Sequence, residues 1–183
     1  SVQPGIRISD MFAHADFQTG SITVRAEIEN ALDGIADAIL YAGAGDDKSA
    51  VVRILYSRYI SICPGKTEVE TEINLINPVP WSPDSPHLYR VELELISKFD
   101  GGECRHQQSK RVGFRDFRVR EDGFFSLNGE KMYVKSSHTV NYFPIGLCVP
   151  HSPDMMTRDL LYAKAMGFNM VRFLGGAPYP RQL

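Results

Sequence analysis

The chain has no apolar run long enough to span a bilayer, and no charged-then-apolar leader opens it, so no membrane partner is expected. It also has no basic surplus. Its 20 Lys and Arg stand against 22 Asp and Glu, a net charge of −2 at pH 7. That leaves nothing to release phosphate counterions and argues against nucleic-acid binding. Cysteine is scarce: Cys63, Cys104 and Cys148 lie far apart, with no Cys-x-x-Cys and no paired His spacing. This excludes a disulfide scaffold and a structural zinc site, and nothing else in the chain asks for a metal or cofactor. An odd count cannot pair fully within one chain. The three are read as buried or half-buried free thiols, with one disulfide left open for an exported protein. Disorder is excluded by composition, since 43% of residues are hydrophobic and 23% charged. A length of 183 residues allows one domain, or one domain and a piece of another.

What the chain does have, from Ile6 to about Arg115, is period-two alternation. Ile22, Val24, Ala26 and Ile28 alternate with Thr23, Arg25, Glu27 and Glu29. Val69, Thr71, Ile73 and Leu75 alternate with Glu68, Glu70, Glu72 and Asn74, and Tyr89, Val91, Leu93 and Leu95 with Arg90, Glu92 and Glu94. Such alternation marks strands with one face on a core and one in water. Turn clusters at Asp33-Gly34, Gly43–Asp47, Pro64-Gly65-Lys66 and Asp100–Glu103 separate them. Seven strands are expected, near 6–12, 21–29, 36–42, 50–61, 67–75, 88–97 and 104–112. This is an antiparallel β-sandwich of immunoglobulin-like size over residues 1–117, and the chain as a whole is mainly β. The predicted core includes Ile22, Val24, Ile28, Val69, Ile73, Val91, Leu93 and Leu95. Glu68, Glu70 and Glu72 fall on one strand face, where carboxylates in a row do no chemistry. A glycosidase needs two carboxylates facing each other across a bond. His14, His87 and His106 are expected in surface or satisfied polar roles. The only tryptophan, Trp81, reads as a packing anchor rather than a sugar-stacking surface.

The pattern changes over 118–183. Asn128-Gly129 between Phe124–Leu127 and Glu130–Val134 is a strong hairpin signal. Ser152-Pro153-Asp154 reads as a helix start, with Ser152 as N-cap. Met156, Leu160 and Ala163 fall at helical spacing beside Met155 and Met166, and Gly167 supplies a left-handed stop. The expected order is a strand at about 131–136, a helix at 153–166 and a strand at 169–174. A β-α-β unit of this kind belongs to a parallel sheet, whose closed barrel needs around 250 residues. The tail therefore reads as the truncated start of a larger (β/α)₈ domain. Its apolar side chains, including Met155, Met156, Leu160, Val171 and Phe173, leave three outcomes: folding back on the sandwich, poor order, or packing against a second copy as a homo-oligomer, the last being the preferred expectation.

Three landmarks resemble glycoside hydrolase family 2, the β-galactosidases, β-glucuronidases and β-mannosidases. Trp81-Ser82-Pro83-Asp84-Ser85-Pro86-His87-Leu88-Tyr89 is similar to the family's W-S-P-x-x-P-x-L-Y. Val112-Gly113-Phe114-Arg115, followed by Phe125-Ser126-Leu127-Asn128-Gly129, is similar to its crossing from sandwich to barrel. Asp159–Arg172 is close to D-L-x-x-x-K-x-x-G-F-N-x-V-R. The resemblance implies an immunoglobulin-like sandwich followed by the first units of a catalytic TIM barrel. It implies retaining hydrolysis of terminal β-glycosides by two glutamates on later barrel strands, so no residue of this chain takes a catalytic role. Arg172 matches an arginine that lines the sugar pocket. His138 follows the first barrel strand, where the family often has R-G-x-N-x-H; here the run is Lys135-Ser136-Ser137-His138-Thr139. Both are substrate-binding candidates of the complete parent enzyme, whose partner is a carbohydrate. Gly175-Gly176 after the arginine is more like mannosidase-like members than galactosidases. The competing reading is a free-standing carbohydrate- or protein-binding immunoglobulin-like module. A purely adhesive or structural domain leaves the β-α-β tail unexplained.

Overall fold

Alternating burial turns the first two thirds of the chain into seven long strands. The computed structural model describes residues 5–99, 102–139 and 152–174. Strands β1 (Ile6–Ala15), β2 (Ser21–Asn30) and β5 (Gly65–Asn74) form one sheet in the order β1-β2-β5. Strands β3 (Ala36–Asp46), β4 (Arg53–Ile62), β6 (Tyr89–Phe99) and β7 (Gly102–Val112) form the other, in the order β4-β3-β6-β7. Every pairing in both sheets is antiparallel. The chain changes sheet after β2, β4 and β5, which makes this an immunoglobulin-like sandwich.

The core lies between the inner faces. Ile6, Ile8, Ile22, Val24, Ile28 and Ile73 meet Leu40, Val91, Leu93 and Leu95, all buried, with Phe114 buried completely. Val69 is half-buried, because it lies on the edge strand β5 where the opposite sheet covers it less. Glu68, Glu70 and Glu72 are exposed, as their alternation requires. In β1 the register shifts between Ile8 and Asp10. The extra residue changes which parity faces inward, so Ile6 and Ile8 are buried before it, and Met11 and Ala15 after it.

Strand β3 runs four residues past the expected end at Ala42, through the apparent Gly43–Asp46 turn. The reason is close approach. A Cβ on Gly43 would sit 2.6 Å from the Arg53 carbonyl oxygen, and one on Gly45 would meet the Val51 carbonyl. The glycines let the chain entering β4 lie flat on β3. Cys63 is exposed, contrary to its expected burial, because it stands at the turn between β4 and β5; Cys104 is half-buried, and both are free thiols. Cys148 lies outside the described residues.

By contacts the chain divides into two compact units. The first runs to Phe117 and includes Leu127–Gly129; the second takes Arg118–Ser126 and continues from Glu130. Short strands β8 (Phe117–Val119), β9 (Phe125–Leu127) and β10 (Glu130–Met132) form a sheet in the order β10-β9-β8. The hairpin turn is Asn128-Gly129, with φ of 53° and 86°, both in the left-handed region that a two-residue turn requires. The first strand of the parallel pair is β11, Ser136–Thr139, rather than 131–136, because Glu130–Met132 is already paired within the hairpin. It pairs in parallel with β12 (Met170–Phe173), and helix α1 (Pro153–Ala165) lies between them in sequence. Ser152 has the extended backbone of an N-cap, φ −142° and ψ 152°, but makes no side-chain capping bond. Gly167, at φ 84°, follows the helix as expected. No helix among the described residues is long and apolar enough to cross a membrane.

Phe114→Ala removes the largest fully buried side chain and is expected to cost about 3–5 kcal/mol in urea unfolding. Tyr59→Ser, at a residue 81% exposed on the same sandwich, is expected to stay within about 0.5 kcal/mol.

Candidate functional site

The outer face of the β1-β2-β5 sheet carries an open groove of about 630 Å³ lined by Asp10, Phe12, Arg25, Glu27, Glu68 and Glu70. Its carboxylates are already engaged or solvated. Glu27 accepts hydrogen bonds from Lys66 Nζ at 2.8 Å and Ser9 Oγ at 2.7 Å. The Lys66 bond first, then Ser9, holds its carboxyl below the usual range. Glu70 is paired with Arg25. A glycosidic acid needs the opposite environment, a desolvated carboxyl raised above its usual value. Among the described residues no three or more His, Cys, Asp or Glu gather to hold a metal ion.

The landmark residues of the first unit converge on one knot. The Trp81 N–H donates to the Phe114 carbonyl at 2.8 Å, and Pro80 and Phe114 form a parallel bridge. A Cβ on Gly113 would lie 3.0 Å from Trp81 Cβ, so the glycine makes room for the indole. Arg115 lies over the indole, its guanidinium carbon 5.0 Å from the Trp81 ring centroid. Asn128 then ties the ends. Its Nδ2 donates to the Trp81 carbonyl at 3.0 Å, its Oδ1 accepts from Asp116 N at 2.9 Å, and its own N–H donates to the Asp116 carbonyl at 2.8 Å. Trp81 is therefore a packing anchor, as expected. His87 caps the same region, with Nε2 3.3 Å from Asp46 and its ring edge-on to Tyr89 at 4.8 Å.

In the second unit, Asn169 secures the parallel pair. Its Oδ1 accepts from Lys135 N at 2.9 Å, its Nδ2 donates to the Tyr133 carbonyl at 2.9 Å, and its N–H reaches the Lys135 carbonyl at 3.0 Å. The strands then run in register, and His138 stands directly opposite Arg172. Opposite residues of adjacent strands project to the same side of a sheet. Both are third in four-residue strands, near the carboxyl ends, and both are exposed. The sequence points to His138 and Arg172 but not to the hydrogen-bonding roles of the two asparagines: Asn128 reads as a turn and landmark residue and Asn169 as a strand and motif residue, since hydrogen bonds to distant backbone leave no periodic trace. Gly175-Gly176 lies outside the described residues.

The model of glycosyl hydrolases family 2 matches residues 6–115, more than half of the chain. The chain belongs to glycosyl hydrolase family 2. Among curated relatives, it is 30% identical over 154 residues to a β-galactosidase of Lactococcus lactis, covering 82% of this chain and 14% of that protein. It is 31% identical over 106 residues to a β-galactosidase of Thermoanaerobacter pseudethanolicus, covering 57% and 14%. A β-glucuronidase of Bacteroides uniformis superposes with a TM-score of 0.80 at 21% identity, covering 98% of this chain and 22% of that one. At that identity the likeness is one of fold. This family 2 chain thus spans about a seventh of the curated relatives it matches.

Asn128→Gly keeps the left-handed turn and removes both side-chain bonds of the knot, an expected loss of about 1–3 kcal/mol in chemical denaturation. Asn128→Ala is expected to cost roughly 1 kcal/mol more, because it also strains a residue at positive φ.

Proposed function

We propose that this chain is the sandwich domain (residues 1–117) and the hairpin connection and first β-α-β unit (118–183) of a retaining β-glycosidase that hydrolyses O-glycosidic bonds in carbohydrates. In a family 2 chain, the observation that carries this is the parallel β11–β12 pair with His138 and Arg172 side by side near its carboxyl ends. Barrel enzymes build their sites at that end of the strands.

In this reading Arg172 and His138 are substrate-site residues, and the two glutamates of the mechanism come from later strands of the longer parent. The Arg172 guanidinium donates two parallel hydrogen bonds to a catalytic carboxylate and favours its ionised form. His138 contacts the sugar from the neighbouring strand. The sandwich supports the barrel and does no chemistry. The partner of the parent enzyme is its carbohydrate, and no nucleic acid, membrane, metal or cofactor enters the proposal.

In the parent enzyme Arg172→Ala is expected to lower kcat/KM about 10²–10³-fold, the scale for losing one positioned donor. Arg172→Lys should recover little of it, because a point charge does not replace the guanidinium fork. Unchanged kinetics in Arg172→Ala would remove the arginine from the site. The purified 183-residue chain is expected to hydrolyse no aryl β-glycoside.

We also propose self-association of the isolated chain through its second unit: of the apolar side chains expected to drive it, Met155, Leu160, Val171 and Phe173 are half-buried and Met156 lies outside the described side chains, while Leu161, Tyr162 and Met166 are 59%, 60% and 71% exposed. Light scattering should show a dimer or larger for the whole chain and a monomer for a version ending at Arg118. Monomers in both cases would refute it.

A further inference from the structure

The inner face of β7 breaks the apolar pattern. Cys104, His106 and Gln108 occupy core-facing positions opposite Ser97, Leu95 and Leu93 of β6. They meet the free edge of β1. The Ile8 N–H donates to His106 Nδ1 at 3.2 Å, Gln108 Nε2 donates to the Ile8 carbonyl at 2.8 Å, and Cys104 Sγ donates to the Ile6 carbonyl at 3.5 Å. β1 is an edge of one sheet and β7 an edge of the other. Side chains of one edge thus satisfy the backbone of the other, and this side of the sandwich is sealed without a ladder. An amide N–H can only donate. His106 must therefore keep its lone pair on Nδ1 and carry its single proton on Nε2.

We propose that this seam is a proton-operated latch: a proton taken up at His106 Nδ1 removes the acceptor of the Ile8 amide and releases the Ile6–Ile8 end of β1 from β7, while the β1–β2 ladder stays paired. The ladder is independent of the seam, since Ile6, Arg7 and Ile8 have register partners Asn30, Glu29 and Ile28 on β2. The surroundings offer an imidazolium little. From β1 the facing charge is Arg7, itself paired with Glu29 of β2 at 2.7 Å. From β6 the neighbours are Leu95, Leu93 and Ser97, and on β7 itself Cys104 and Gln108. The outward Arg105 is engaged by Glu94 of β6 at 3.4 Å. Burial first, then Arg7, holds the imidazole below its ordinary value of 6.5. The sign follows. The open seam binds the proton more readily than the closed one, so the latch is at full strength above 6.5 and is lost as pH falls from there through the lowered value.

The test is ¹⁵N NMR with amide hydrogen exchange on the whole chain between pH 7.5 and 5. The Ile8 protection factor, corrected for the intrinsic pH dependence, should fall by up to about tenfold per pH unit within that window. Val24, inside the β2–β5 pairing, should hold its protection. His106→Gln offers an oxygen acceptor that does not titrate, and should flatten the Ile8 profile. Equal loss in His106→Gln, or no loss in the native chain, would overturn the latch. If the variant does not fold, the imidazole ¹⁵N shifts of the native chain decide. A proton on Nδ1 at pH 7.5 overturns the proposal, and a proton on Nε2 that is joined by one on Nδ1 as Ile8 loses protection upholds it.

Discussion

The inner face of β6 is the element on which the sandwich depends. Val91, Leu93, Leu95 and Ser97 are all buried, and the strand is hydrogen-bonded on both sides, to β3 and to β7. Its apolar positions face Ile8, Ile22, Val24 and Ile28 across the core. Burial of a Val, Leu or Ile side chain is worth about 1.5–3 kcal/mol, so these few residues outweigh any single polar contact in the chain. Because the side-chain period is two, the same burial sets the register of the neighbouring strands and puts every Glu of β5 into water.

Two kinds of polar contact finish what apolar burial starts. At the β1–β7 side, His106, Gln108 and Cys104 answer backbone groups that the gap between two sheets would leave unpaired. At the end of the sandwich, Asn128 binds the carbonyl of Trp81 and both backbone groups of Asp116. Each of these side chains meets a buried or half-buried group that water cannot reach easily, and leaving such a group unmet costs more than the bond itself contributes. That asymmetry explains why His106 and Gln108 occupy positions of β7 where alternation alone asks for Leu or Val.

The family assignment and the geometry bear on function in different ways. The family model covers the sandwich, where the described structure shows packing and no site of glycosidic type. The pair that the functional proposal needs, His138 and Arg172, lies beyond it, on strands of four residues held by Asn169. In that proposal a supporting domain and a piece of a site occupy one chain, and the two segments carry separate physical signatures: long alternating strands for the first, and a helix flanked by short parallel strands for the second.

The order of residues by itself determined the sandwich, its buried set, the Asn128-Gly129 turn and the helix with its glycine stop. These follow from local rules, namely the two-residue and 3.6-residue periods and the tolerance of Asn and Gly for positive φ. The motif that contains Arg172 also made that arginine a candidate for the proposed site. Only the tertiary structure decided that Gly43–Asp46 is strand and not turn, that β1 changes parity after Ile8, and that the first parallel strand begins at Ser136. Only the tertiary structure, too, set His138 opposite Arg172 and aimed His106 at the Ile8 amide. The physical reason is the same in each case. These features depend on what a second segment, far away in sequence, brings to within a few ångströms, and no periodicity within one segment encodes its partner.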